Sequence, residues 1–426
     1  MVQKFIRALR NEREETAEIR RYQNLADGEG AVISYSFMSA APEGVSGFST
    51  YMAAEQAQVH KVLAQFQAVA NVTFVEASDT AAANLLFGQR YMPGWQSGEA
   101  STPLIRKSDG SRSQVEVWLD TEYDLAKGDV RIVGTALHEI GHALGLKHSG
   151  EGAVRLPSAE DARANTTMSY NGDMQLRLGI FDIAALEAIY GPAQTKLGAN
   201  TYTFGKDKVI VDGGGTDTLT AASSKTKVVI DLNGGAWSYA NKKAGSLVKD
   251  GQVYIGEHTV IERATGSKHN DTVRGNAADN LLKGGAGNDT VDGRTGNDRL
   301  YGDGGNDKLY GGLGDDALYG GAGKDTSLSE MGTLESHDWI RDFSAKQGDR
   351  IDLRKVDFDP AAGGRQKMTF LGNGTDDARL SASKAGQAYY NTAGDELRVD
   401  ADGDGIADYA LGIKGVASMK ASYFLL

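Results

Sequence analysis

The chain has 426 residues, a net charge of −12 and no cysteine, which excludes disulfides and thiolate metal ligands and leaves imidazole and carboxylate as the metal donors. That length predicts two or three domains, and an acidic balance without a long basic run argues against nucleic acid and anionic membranes as partners. No run of about eighteen apolar residues occurs, so no membrane-spanning helix is expected.

Residues 1–30 carry charges at helical spacing and lack the apolar stretch of a secretory signal. They read as a surface helix or a short removable pro-segment. From Ala31 to Phe37 apolar and polar residues alternate as in a strand, and residues 52–70 form a long helix that leaves His60 on the surface. Strands are expected over residues 71–76, 84–88 and 115–119, and a last helix over Phe181–Tyr190 ends at Gly191. Composition shifts at Gly191-Pro192, which places a first domain at residues 31–192 and a second at 193–426.

Before that last helix comes His138-Glu139-Ile140-Gly141-His142-Ala143-Leu144-Gly145-Leu146-Lys147-His148. On a helix, His138 and His142 project from one face, close enough to grip a single zinc ion. Gly145 takes the left-handed conformation that ends a helix, so His148 returns as a third ligand. Three imidazoles leave a fourth position for water, whose pKa at such a site falls to about 7. Glu139 stands where it can take a proton from that water. Ile132, Val133, Ala136, Leu137, Ile140, Ala143 and Leu144 give the same helix a buried face.

Seven nine-residue units fill residues 266–328 without insertion. An aspartate recurs at Asp271, Asp289, Asp298, Asp307, Asp316 and Asp325, with Asn280 in the remaining slot, and an apolar residue follows two positions later at Val273, Leu282, Val291, Leu300, Leu309 and Leu318. Glycine-rich loops joined by short strands with one inward apolar side chain stack into two parallel sheets. Rows of aspartates repel unless several calcium ions lie between them, bound by carboxylates and loop carbonyls. The loop positions concerned are Gly284, Gly285, Gly287, Gly302, Gly304, Gly305, Gly311, Gly312, Gly314, Gly320, Gly321 and Gly323. Turns two apart pair Asp289 with Asp307, Asp298 with Asp316 and Asp307 with Asp325. The first two units depart from the rule, with His269 and Ala278 in glycine positions, and Ser327 in the last reads as a capping turn. Asp212–Leu219 holds either a separate calcium or a plain turn. Asp400–Asp408 spaces its acids as a calcium loop does but lacks the closing glutamate, and is expected to be a turn with at most a weak ion.

Thr167-Met168-Ser169-Tyr170-Asn171 resembles the Met-turn of the metzincin clan, in its astacin and serralysin branches. With HEIGHALGLKH, DIAALEAIYG, GGGTDTL and the nonapeptides, the chain resembles the serralysins, bacterial secreted zinc metalloproteases with a C-terminal RTX calcium β-roll. The resemblance implies an α+β metzincin-type catalytic domain followed by an all-β parallel β-roll and β-sandwich domain. It implies one catalytic zinc on His138, His142 and His148, with Tyr170 a displaceable ligand that turns to the developing oxyanion. It also implies protein or peptide substrates lying along an edge strand within Gly98–Leu104. A monomer exported by a type I secretion apparatus to the extracellular space is expected, although the terminal Ser422–Leu426 lacks the usual acidic residue. Ser149 stands where that family usually has proline. Two other readings are a calcium-dependent adhesion protein with a vestigial enzyme domain and a metallohydrolase of a different bond.

Overall fold

The structure, a computed structural model, describes residues 28–94, 96–101, 114–152, 154–245, 248–328, 337–354, 368–375, 380–382 and 384–426. The helix or pro-segment expected over residues 1–30 lies almost wholly outside the described residues, as does the stretch from Thr102 to Leu104.

The first half is a twisted sheet with helices against it. Its strands are β1 (Ala31–Phe37), β2 (Phe48–Ser49), β3 (Val72–Glu76), β4 (Leu85–Arg90), β5 (Gly98–Ala100) and β6 (Val115–Asp120), in the order β3-β1-β4-β6-β5 with β2 on β4. Strands β3, β1, β4 and β6 run parallel, while the edge strand β5 lies antiparallel to β6. Helices α1 (Ala53–Gln67), α2 (Val130–Ala143) and α3 (Ile180–Tyr190) bury Phe66, Leu137, Ile140, Phe181 and Leu186 against it. His60 is exposed and meets Glu76.

The second half is a roll wider than the seven repeats. Parallel strands Leu281–Ala286, Arg299–Gly304 and Ala317–Tyr319 stack in one sheet, and Thr272–Arg274, Thr290–Thr295, Lys308–Leu313 and Thr326–Leu328 in the other. Each repeat pairs with the unit two turns on, so Val291 stands level with Leu309 and Leu300 with Leu318. Val273, Leu282, Val291, Leu300 and Leu309 are fully buried between the sheets, one apolar side chain per turn. Stacking begins before the repeats, where Thr218–Thr220 and Arg263–Thr265 continue one sheet.

Ser327 does not cap the roll. Its strand pairs in parallel with Arg350–Asp352, which pairs with Phe424–Leu425. Buried Ser327 is followed in the stack by buried Ile351 and Phe424, so the apolar interior resumes one turn later. The end of the chain is thus a strand of this sheet.

The two halves share packing. Trp237 and Tyr254 from the second half belong to the apolar core around α2 and α3. Glu187 at the end of α3 is fully buried and accepts the N–H groups of Glu257 and His258, both at 2.7 Å. A side chain at Gly256 would strike that carboxylate, so glycine there permits the approach.

Candidate metal centres

Helix α2 begins at Asp129, whose carboxylate accepts the Arg131 N–H at 2.8 Å. It ends at Gly145, where φ is +96°, and the chain reverses so that the Leu146 N–H returns to the Gly141 carbonyl at 2.9 Å. This turn brings His148 back beside His138 and His142. The three Nε2 atoms lie 3.0–3.1 Å from one another.

Their other ring nitrogens decide what those Nε2 atoms can do. His138 Nδ1 meets the Thr167 carbonyl at 2.7 Å, His142 Nδ1 the Leu146 carbonyl at 2.8 Å, and His148 Nδ1 the Glu151 carboxylate at 2.8 Å. A neutral imidazole with its proton on Nδ1 has only a lone pair at Nε2. Burial and the neighbouring imidazoles push His138 down to about 3 and His142 down to about 4, which keeps both neutral. Three lone pairs therefore face one point. A zinc ion bound at about 2.0–2.1 Å to each nitrogen would separate them by about 3.3 Å in a tetrahedron, so the donor set fits.

Around that point stand the two other residues expected from the sequence. Glu139 is buried beside His138 and accepts the Ala100 N–H of edge strand β5. Burial raises its carboxyl to about 7. The Tyr170 hydroxyl lies 2.6 Å from His148 Nε2, and the side chain is 60% exposed, which separates it from a core tyrosine. Met168 is fully buried beneath the helix. Its sulfur would lie 2.8 Å from a Cβ at Gly141, so that glycine admits the methionine turn.

Sequence reasoning missed the support behind this centre. Asp182 on α3 is fully buried and accepts the Thr167 N–H at 2.7 Å, the Gly179 N–H at 2.8 Å and the Thr166 hydroxyl. It thereby fixes Thr167, whose carbonyl orients His138. An acid near the start of the otherwise apolar stretch FDIAAL is the sequence signal that pointed to it. The Ser149 hydroxyl donates to Asp161 and its backbone N–H to the Met168 carbonyl, tying the residue after His148 to the methionine turn.

The roll poses the complementary problem. Oδ1 of Asp289, Asp298, Asp307, Asp316 and Asp325 accepts the backbone N–H of the residue eighteen positions earlier, two turns back in the stack. Oδ2 of all five is buried and has no partner. Burial and facing carboxylates raise Asp289 and Asp298 to about 7 and Asp316 to about 8. A Cβ at Gly302 or Gly311 would sit 2.4 Å from the orphaned oxygen of Asp307 or Asp316. Glycine thus keeps a space open beside each bare carboxylate oxygen, which fits calcium, an ion that takes six to eight oxygens. Gly285, Gly287, Gly305, Gly312, Gly314, Gly321 and Gly323 have φ between +92° and +135°, as the loops between strands require.

Asp271 differs from the other five. Its two oxygens each accept a backbone N–H, from Val228 and Ser267, so it has no bare Oδ2 like theirs. The ladder instead runs past the repeats, where Asp338 and Asp349 accept the Asp316 and Asp325 N–H groups at 3.1 and 3.0 Å. Sequence reasoning did not assign these two, although Asp338…Ile340 and Asp349…Ile351 repeat the acid-to-apolar spacing. Upstream, Asp217 is fully buried with Oδ2 unpartnered, close to Asp212 and Glu262, which favours a cation over a plain turn. Asp400, Asp402 and Asp408 converge, but Asp400 is occupied by the Gly403 and Gly405 N–H groups, as in an ordinary turn.

Comparison with known proteins agrees with these donor sets. Residues 29–191 match the Matrixin family, and residues 265–300 and 292–326 match the RTX calcium-binding nonapeptide repeat. The chain is 32% identical to Metallopeptidase AprA of Pseudomonas marginalis over 60% of this chain and 62% of that protein. It is 32% identical to Serralysin G of Dickeya chrysanthemi over 59% of this chain and 61% of the relative, and 30% identical to a serralysin of Proteus mirabilis over half of each. The matched region therefore spans about three-fifths of the first two relatives. With a Matrixin match over its first half and RTX calcium-binding repeat matches over its second, this chain is similar to the serralysins in both its peptidase-like and its repeat region.

Proposed function

We propose that the protein is a secreted zinc-dependent endopeptidase that cleaves extracellular proteins or peptides and works as a monomer. The carrying observation is the set of three converging Nε2 atoms within 3.1 Å of one another, flanked by Glu139 and Tyr170. His138, His142 and His148 would hold the zinc, which when bound acidifies a water and polarises the scissile carbonyl. Glu139, buried yet beside the cleft, takes the proton from the attacking water and delivers it to the leaving amine. The Tyr170 hydroxyl donates to the oxygen that becomes negative as the carbonyl turns tetrahedral. Strand β5 ends the sheet, so an extended substrate can lie along its outer edge beside Ala100.

Export is part of this reading through the chain's similarity to serralysins. A type I apparatus reading the terminal Ser422–Leu426 is the route we propose, with Phe424 and Leu425 also serving the sheet.

The test is Glu139→Ala in zinc-replete protein. Casein hydrolysis should fall by about 10³-fold or more while zinc stays near one per chain. Full activity with zinc retained would sink this mechanism. An adhesion protein with a vestigial site would show no hydrolysis even in the unsubstituted chain.

A further inference from the structure

A void of about 450 Å³ opens beside Glu139 and runs back along α2. Thr135 and Arg131 lie four and eight residues before Glu139, on the same stripe of the helix, and form its floor. Ser97 and Gly98 close one side, held there because the Ser97 and Thr135 hydroxyls meet at 2.7 Å. Met174 and Arg163 form the other wall.

Two cations face this space. Arg163 is half-buried, with Nε donating to the Ser169 carbonyl and Nη1 to the Gly172 carbonyl, each at 3.1 Å. It forms no ion pair with a carboxylate among the described residues. Its charge reaches the centre, where it helps to lower His138 and offsets the rise at Tyr170. The Arg131 guanidinium lies 4.6 Å over the ring of Tyr123, which orders it. Glu139 is the only carboxylate among the residues lining the void.

We propose that this void is a specificity pocket for an acidic substrate side chain, glutamate above all, with Arg163 and Arg131 as the residues that select it. The inference rests on the endopeptidase reading above. Glu139 delivers its proton to the leaving amine, so the residue that carries that amine sits on the Glu139 side and directs its side chain into the void. A lysine there meets two like charges. An apolar side chain desolvates the guanidinium groups without compensation. A carboxylate gains charge-assisted hydrogen bonds.

The experiment uses the full chain with zinc and calcium and peptides identical except at the residue after the scissile bond, which is Glu, Gln, Leu or Lys. Glu should exceed Gln in kcat/KM by about tenfold or more. In Arg163→Gln and Arg131→Gln that ratio should fall toward one, and Arg131→Glu should shift preference toward Lys. Ratios within one variant cancel any loss of folded protein, including loss caused by freeing the Ser169 and Gly172 carbonyls. Cleavage of the Leu or Lys peptide as fast as the Glu peptide, or an unchanged ratio in both glutamine variants, overturns the pocket. Failure to cleave any peptide or denatured casein would instead overturn the endopeptidase reading, and the pocket with it.

Discussion

The histidine centre and the aspartate ladders both gather metal donors, yet they meet opposite electrostatic conditions. At the centre the donors are imidazoles, which bind metal in their uncharged form, and carbonyls, Glu151 and α2 hold each ring in place. Lone pairs of uncharged rings repel far less than carboxylates do, so packing can assemble the site before a metal arrives. In the roll the donors are carboxylates whose Oδ2 atoms are buried without partners. Their interior is one Val or Leu per turn, against the multilayered apolar core that backs α2. A thin core cannot offset like-charge repulsion and chain entropy together. The lesson is that metal can be either the occupant of a folded site or a condition of folding, and donor charge with core thickness decides which.

Calcium removal should expose the difference most strongly. In zinc-replete, calcium-free buffer the full chain should lose the β signal of residues 201–425 in circular dichroism, while zinc content stays near one per chain. An unchanged spectrum would break the comparison, because the roll would then stand on its packing.

Support of the histidine centre can be cut without touching a donor. Asp182→Ala leaves the Thr167 and Gly179 N–H groups without their acceptor. Zinc affinity should fall by about 10–100-fold, read by competition with a chromophoric chelator. Wild-type affinity would show that Thr167 is held by other means. Tyr170→Phe should lower kcat by about tenfold or more with little change in KM, since the hydroxyl acts mainly as charge develops. An unchanged kcat would leave Tyr170 as cleft wall only.

The smallest effect separates two aspartates of the roll. Asp307→Ala removes a buried orphan oxygen from the middle of a ladder and should raise the calcium midpoint of folding several-fold. Asp271→Ala, whose oxygens both serve backbone N–H groups, should leave that midpoint nearly unchanged while lowering stability by about 1–3 kcal/mol. Equal midpoints would mean that the orphan oxygens do not bind the ion.

Much of the centre could be read from local spacing. The interval from His138 to His142, the glycine at 145 and the return to His148 lie within eleven residues, and helical geometry does the rest. The repeat announced its own sheets because a nine-residue period leaves one register for the apolar row. The limits of the roll were not legible in the same way. Asp338 and Asp349 sit off the nine-residue count, and Thr218–Thr220 and Phe424–Leu425 join the sheets from remote parts of the chain.

The sequence by itself determined the donors, their order and the period of the roll, because each depends on residues close enough along the chain for backbone geometry to place them. Only the tertiary structure decided which groups stand behind them: Asp182 behind His138, Glu187 across the junction of the two halves, Asp349 at the end of a ladder, Arg131 and Arg163 about one void. Those pairings follow from how α3, the methionine turn and distant strands pack. Burial of apolar faces sets that packing, and it is a property of the whole chain rather than of any short stretch.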